Sequence, residues 1–335
     1  MTYRPLFHVT PHLLKTVEEI SAYREKIVSA SVQVRWIPAL QKETRARNSH
    51  SSTAIEGNPL TLEQVRVLEE GRTTVVAGDR AKREVLNYLT GLRFVEKNQA
   101  KKTISHRDLF QLHRIIASKV MDQGEAGHYR KIQVRVGSYQ PPPAGEVPRF
   151  MNELLKWWDQ KATEWSPVIS SAIVHYRFEE IHPFADGNGR VGRALALWEL
   201  YRRGFDSHHI FSVDEVYWED RPRYYQALDA VRKSGGDLTG WLEYTAEALH
   251  LTLERVWLRV QQLSAGKVKE KIVLTPKQEQ LLHLLRDQKS LAPSQLWKGL
   301  GVTKQGAMKI LNPLLASGLI RRIGTRKSGK YILGN

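Results

Sequence analysis

His182-Pro-Phe-Ala-Asp-Gly-Asn-Gly-Arg-Val-Gly-Arg193 gathers a base, a carboxylate, three glycines and two guanidinium groups within twelve residues. Apolar Ile173, Tyr176 and Phe178 lie on a helix that must stop before Pro183, because proline disfavours helix at the residue preceding it. A second helix begins near Arg190, with Ala194-Leu-Ala-Leu-Trp198 as its apolar body. A glycine turn opening onto a helix N-terminus is an anion site, where unpaired amides and the positive end of the helix dipole converge on a phosphate. Gly187 and Gly189, without a Cβ, let the backbone come close. Arg190 and Arg193 add forks that grip phosphate oxygens in pairs. Asp186 among these cations is the expected ligand of Mg²⁺ (or Mn²⁺), since Mg²⁺ takes one or two carboxylates plus phosphate oxygens. His182 supplies a neutral base near pH 7. Base, metal and anion hole are the parts that a phosphoryl or nucleotidyl transfer needs.

The same twelve residues match, position for position, the signature of the Fic family of AMP-transferring enzymes. The resemblance implies that His182 deprotonates a hydroxyl of a target protein, on Ser, Thr or Tyr. It implies further that Asp186 holds the metal and that Gly187, Asn188 and Gly189 bind phosphate. Arg190 and Arg193 then grip the β- and γ-phosphates, and Phe184 anchors the loop in the core. Gly189 is intact, unlike the Doc-like kinase branch, which has a Lys and loses this glycine. Arg221-Pro-Arg-Tyr-Tyr-Gln-Ala-Leu228 is similar to the family stretch whose tyrosine lies against adenine. Tyr224 and Tyr225 are the candidates, with buried helix packing the equal alternative for each.

Ser52-Thr-Ala-Ile-Glu-Gly-Asn58 resembles the family's inhibitory motif, Ser/Thr-x-x-x-Glu-Gly/Asn, placed N-terminal to the loop as in its second class. The resemblance implies that Glu56 pairs with Arg193 and holds ATP away from in-line attack. Position errors of ~1 Å can cost ~10²-fold in rate.

Around these motifs the chain reads as mainly helical. Three- and four-residue apolar spacing predicts helices near 13–30, 61–70, 80–97, 105–118, 147–162, 167–181, 189–203, 222–233 and 238–263. Thr61, Ser105 and Pro167 are suited to helix starts. Ile132, Val134 and Val136 alternate with polar residues, which predicts a short hairpin over 129–136, closed off by Pro141-Pro-Pro143. The family has a flap at this place, here 127–143, that positions the target's extended segment by main-chain pairing. The expected architecture is a helical Fic bundle with a β-hairpin flap and a C-terminal winged helix-turn-helix. Residues 1–100 form a helical region carrying the inhibitory motif, 101–263 the catalytic core, 264–271 a basic linker and 272–335 the last domain.

Net charge is +16, with 51 Lys+Arg against 35 Asp+Glu. From Lys267 to the end, fourteen Lys/Arg face three Asp/Glu, a net +11 that points to an anionic partner. Three helical segments and two strands around a basic tip describe a winged helix-turn-helix, whose second helix enters the major groove of DNA. Candidate contacts are Thr303, Lys304, Gln305 and Lys309 on that helix, and Arg326, Lys327 and Lys330 on the wing. A protein-interaction or dimerisation module, with the chain as a homodimer, is the alternative. The competing function is a DNA-binding regulator whose Fic domain senses nucleotide, and within the enzyme reading the alternative is transfer of a different nucleotide. The chain has no cysteine, which excludes disulfides, thiolate metal sites and a cysteine nucleophile. No signal peptide and no run of ~18 apolar residues is present, so a cytoplasmic protein with no membrane span is expected.

Overall fold

The computed structural model describes residues 2–30, 37–72, 75–206, 208–265, 276–316, 319–324 and 329–334. They divide into two compact units, one of Met1–Ala30 with Ile37–Val260, the other from residue 261 on. The first unit holds helices α1 (Pro11–Ser29), α2 (Ile37–Ile55), α3 (Leu62–Glu69), α4 (Asp79–Lys97), α5 (His106–Ala117) and α6 (Val147–Gln160). It continues through α7 (Pro167–Ile181), α8 (Asn188–Arg202), α9 (Val213–Glu219), α10 (Arg221–Lys233) and α11 (Thr239–Ala265), which runs to the end of the described segment. Local chemistry sets several starts. Thr61 and Ser105 form capping boxes with Gln64 and Asp108, and Ser166 with Pro167 opens α7.

The centre of the unit is the pair α7 and α8. Val168, Ile173, Val174, Tyr176, Phe178 and Ile181 are buried on α7, and Val191, Leu195, Leu197 and Trp198 on α8. Helices apolar on every side sit inside a bundle with neighbours all around them. The loop joining them therefore emerges from the deeply buried centre of the unit.

Two helices escaped the periodicity reading, α2 and α9. α2 buries Asn48, Ser49, Ser51, Ser52 and Thr53, so it has no apolar stripe. Its polar groups are paired instead: Asn48 Nδ2 donates to Phe211 O, Ser49 Oγ to Val85 O, and Thr53 Oγ1 to Ser49 O.

The expected hairpin at 129–136 is not a ladder. A single bridge joins Val136 and Tyr139, with Gly137 at φ 56 in the turn. Its return arm, Pro141-Pro-Pro143, has no amide hydrogens to donate. Side chains span the gap: Arg130 Nη1 donates to Ile132 O, Arg130 Nη2 to Pro142 O, and Gln133 Nε2 to Pro141 O. The flap is a loop pinned by side chains.

The second unit packs α12 (Pro276–Gln288), α13 (Pro293–Leu300) and α14 (Lys304–Ala316) with antiparallel strands β1 (Ile320–Ile323) and β2 (Lys330–Leu333). Ile320 pairs with Leu333 and Ile323 with Lys330, while Leu291 bridges to Tyr331. Leu281, Leu285, Leu296, Leu311, Leu314, Ile320 and Tyr331 form its core. Among the described residues, no helix is long and apolar enough to cross a membrane.

Candidate active site

α7 ends at His182 itself, which takes the left-handed conformation (φ 50, ψ 60) and donates its N–H to Phe178 O at 2.9 Å. Such a conformation costs a non-glycine residue roughly 1–3 kcal/mol and persists only where the surroundings hold it. Arg130 holds it here. Its Nε donates to His182 O at 2.8 Å and its main-chain N–H to Pro183 O at 2.9 Å. The imidazole is 16% exposed, with Nδ1 turned towards Glu179, whose Oε2 lies 3.8 Å away. Burial lowers His182 to about 4, opposed first by the adjacent main chain of Glu179 and then by Glu56, with Arg130 adding to the fall. His182 is therefore neutral at physiological pH, as a base must be.

The turn after it is locked by its own residues. Asn188 Oδ1 accepts from Phe184 N and Asn188 Nδ2 donates to Phe184 O, both at 2.9 Å. Both polar atoms of this amide are spent on the loop. The buried Phe184 ring stacks on His113, with centroids 3.7 Å apart and planes 4° from parallel. His113 Nε2 donates to Asp186 O at 3.0 Å, and its Nδ1 accepts Gly127 N–H at 2.8 Å. Both bonds require neutral His113, which burial pushes down to about 4.

Gly187, at φ 77, begins α8 with no side-chain cap. The first N–H groups of α8 therefore have no partner inside the helix. Arg190 and Arg193 stand behind them, 5% and 1% exposed. Nε and Nη1 of Arg190 are buried without a hydrogen-bond partner, while its Nη2 lies 3.6 Å from Asp186 Oδ1. Arg193 is fully engaged: Nε donates to Ser52 Oγ (2.7 Å), and Nη2 donates to Ser52 O (2.9 Å) and Glu56 Oε1 (2.7 Å).

Glu56 reaches this point because α2 ends one residue earlier. Gly57 at φ 94 turns the chain, and Gly57 N and Asn58 N cap Ala54 O and Thr53 O. The Glu56 carboxylate, 35% exposed, lies directly over Gly189, where a Cβ would overlap Oε1. Burial opposes its ionisation, but Arg193 at hydrogen-bond distance outweighs that, and the group is held below the usual carboxylate range. Asp214, buried behind Arg193, accepts from Tyr88 and Ser52, and burial raises it to about 6.

Asp186 Oδ1 accepts Gly187 N–H at 2.5 Å, and the carboxylate is 30% exposed. No group of three or more His, Cys, Asp or Glu suited to a metal occurs among the described residues. One carboxylate at the mouth of an anion site still suits Mg²⁺, which draws its remaining ligands from phosphate and water. Tyr224 is 1% exposed, stacked on Tyr217, with its hydroxyl 3.1 Å from His175 Nε2. Tyr225 is 38% exposed, with Arg221 5.3 Å from its ring. In the second unit Thr303, Lys304, Gln305, Lys309 and Lys330 are exposed, whereas Arg326 and Lys327 lie outside the described residues.

The sequence reading did not single out Arg130, His113 or Glu179. Arg130 and His113 lie far from the loop in sequence, and no local spacing announces that their side chains end on its carbonyls.

A family model described as Fic/DOC family matches residues 103–200. The Protein adenylyltransferase Fic of Aedes aegypti is 29% identical over 254 residues, 75% of this chain and 49% of that protein. Its namesake in Drosophila melanogaster is 28% identical over 243 residues, 72% of this chain and 48% of that one. The chain thus spans about half the length of the curated relatives it matches. A crystal structure of a Fic family protein from Desulfovibrio desulfuricans G20 aligns over 99% of both chains, with TM-score 0.68 and 27% identity. Residues 103–200, which include the loop, thus match the Fic/DOC family model, and the mainly helical bundle is similar to that of a Fic family protein.

Proposed function

We propose that this protein transfers AMP from ATP to a hydroxyl of a target protein and is held in check by Glu56. The observation that carries the reading is the pairing of a neutral, buried His182 with an anion pocket whose Arg190 has two buried donors unmet. A pure phosphate sensor needs the pocket and no base. His182 takes the proton of the target hydroxyl, whose oxygen attacks the α-phosphorus. The bond from that phosphorus to the β-phosphate oxygen breaks, and pyrophosphate leaves on the arginine side of the pocket. Asp186 is the residue that would hold Mg²⁺, which when bound neutralises phosphate charge. Tyr225, rather than the buried Tyr224, offers an accessible ring to adenine. The flap is proposed as the edge for the target's extended segment, supported by its nearly unpaired main chain.

Glu56 acts as the brake by occupying the space over Gly189 and holding Arg193. With α-³²P-ATP and Mg²⁺, Glu56→Gly is expected to label protein at least about 10²-fold faster than the parent. His182→Ala in that background abolishes the label. A folded Glu56→Gly protein no more active than the parent would remove the brake from this account.

A second reading concerns the C-terminal unit, proposed as a DNA-binding winged helix. Gln305, Met308, Lys309 and Asn312 occupy one exposed face of α14 at three- and four-residue spacing, where base edges would be read. The full chain is expected to shift duplex DNA at low salt, and Lys304→Ala with Lys309→Ala to weaken it and flatten its salt dependence. No shift at low salt leaves the unit as a protein-binding module.

A further inference from the structure

Glu179 takes no part in the chemistry above, yet it is enclosed by it. It lies on α7, three residues before His182, and is 7% exposed. Its Oε1 is buried without a hydrogen-bond partner, and so is Nδ1 of His182. The other carboxylate oxygen, Oε2, lies 3.8 Å from that Nδ1, while Oε1 is turned to Gly192. Buried polar atoms left unmade are rare, and a carboxylate oxygen just beyond reach of one can meet it by a small adjustment. The helix opposite has made room for the carboxyl group. Gly192 on α8 is where a Cβ would overlap Glu179 Oε1, just as a Cβ on Gly189, one turn earlier, would overlap Glu56 Oε1. Two carboxyl groups thus lie over successive glycines of α8, both within the field of Arg193.

We propose that Glu179 is a positioning residue for His182, its carboxylate accepting Nδ1–H so that Nε2 is left as the face that takes the target's proton. The inference rests on the transferase reading of the same site. The groups around the pair set how strongly it forms. His182 faces the main chain of Glu179 beside it, Arg130 from the flap, Arg232 from α10 and Glu56 from the end of α2. Glu179 faces Arg193 from α8, Glu56 and Arg232. Burial raises Glu179 to about 7, with Arg193 opposing and Glu56 adding to the rise, so the group is partly ionised near neutrality. An anionic Glu179 favours protonation of the imidazole and so strengthens it as a base.

The test uses the full chain with Glu56→Gly, to which Glu179→Gln, Glu179→Asp and Gly192→Ala are added separately. Glu179→Gln is expected to lower kcat about tenfold or more, with KM for ATP within about twofold. The acid limb of the rate moves to lower pH, because His182 loses its anionic neighbour. Glu179→Asp recovers part of kcat. Gly192→Ala, which displaces the carboxyl group without removing it, lowers kcat in the same direction. In parallel, the labelled imidazole of His182 is followed by NMR, and the Nδ1–H tautomer gives way on Glu179→Gln. Unchanged kcat and pH profile in Glu179→Gln would overturn the proposal, as would a loss confined to KM for ATP. If the Glu56→Gly parent itself is inactive, the transferase reading fails, and the tautomer of His182 still decides for or against Glu179.

Discussion

Residues 182–193 and residues 129–143 meet at Arg130 and are fastened in opposite ways. In the first, the turn is closed by Asn188 on both main-chain groups of Phe184, by His113 on Asp186, and by Arg130 on His182. In the second, one bridge and a few side-chain bonds hold a segment whose residues 131–135 leave their edge largely unpaired. Group transfer at phosphorus demands reacting groups fixed in advance, since rate falls steeply with misplacement. Recognition of an extended peptide demands the reverse, an edge with donors and acceptors still to spend. One arginine serving both regions ties the proposed docking edge to the proposed base.

The largest expected effect comes from removing that link. Arg130, 4% exposed, donates to the carbonyls of His182, Ile132 and Pro142. Charged hydrogen bonds are worth about 1.5–3 kcal/mol each, so Arg130→Ala is expected to cost several kcal/mol locally and to release the left-handed His182. In the Glu56→Gly background, AMP transfer should fall about 10²-fold or more, and Arg130→Lys, which has no fork, should recover little of it. An Arg130→Ala protein with near-parental kcat would mean that the loop holds itself and that the comparison with the flap is mistaken.

How much of this was legible in the sequence follows the same division. The loop could be read because its base, carboxylate, glycines and arginines are neighbours in the chain, and each residue type states its chemistry. Capped starts such as Thr61 and Ser105 were legible because capping is local. α2 was not, since it buries hydroxyls and amides whose partners, Phe211 O and Val85 O, lie elsewhere in the chain. The flap misled because Ile132, Val134 and Val136 alternate like a strand while Pro141-Pro-Pro143 cannot pair with them. Arg130 and His113 were silent for one reason: each acts on the loop through a contact that only the fold creates.

A smaller effect probes how the loop is held. His113 is 0% exposed and stays neutral down to about pH 4, whereas an unfolded histidine takes up its proton near 6.5. Between those values the unfolded chain binds more protons, so this residue's contribution is complete above pH 6.5 and is lost as pH falls towards 4. The difference corresponds to roughly 3 kcal/mol at its fullest. Glu179, Asp206 and Asp214, whose carboxyls burial raises, act in the opposite sense, so the contribution of His113 is read as a difference. His113→Gln is expected to lower Tm by several degrees at pH 7.5, with a gap to the parent that narrows steadily at pH 6 and 5. A gap that stays constant with pH would show that stacking on Phe184, rather than neutrality, is what His113 supplies.

The smallest effect belongs to the flap tip. Tyr139 donates its hydroxyl to Glu180 O at 2.9 Å, and Arg232 lies 3.8 Å from its ring centroid. Tyr139→Phe keeps the ring under Arg232 and removes a bond worth about 1 kcal/mol. Because the flap shares few bonds with the core, its opening need not carry global unfolding with it. Tm is therefore expected to stay within about a degree of the parent, and KM for ATP to be unchanged. The rate of transfer to an added protein target should fall by a few-fold, through KM for that target rather than kcat. A fall in kcat of the size seen for Arg130→Ala would place Tyr139 with the machinery of the loop. The flap would then be a second rigid wall of the active site, and the target would have to find its docking edge elsewhere.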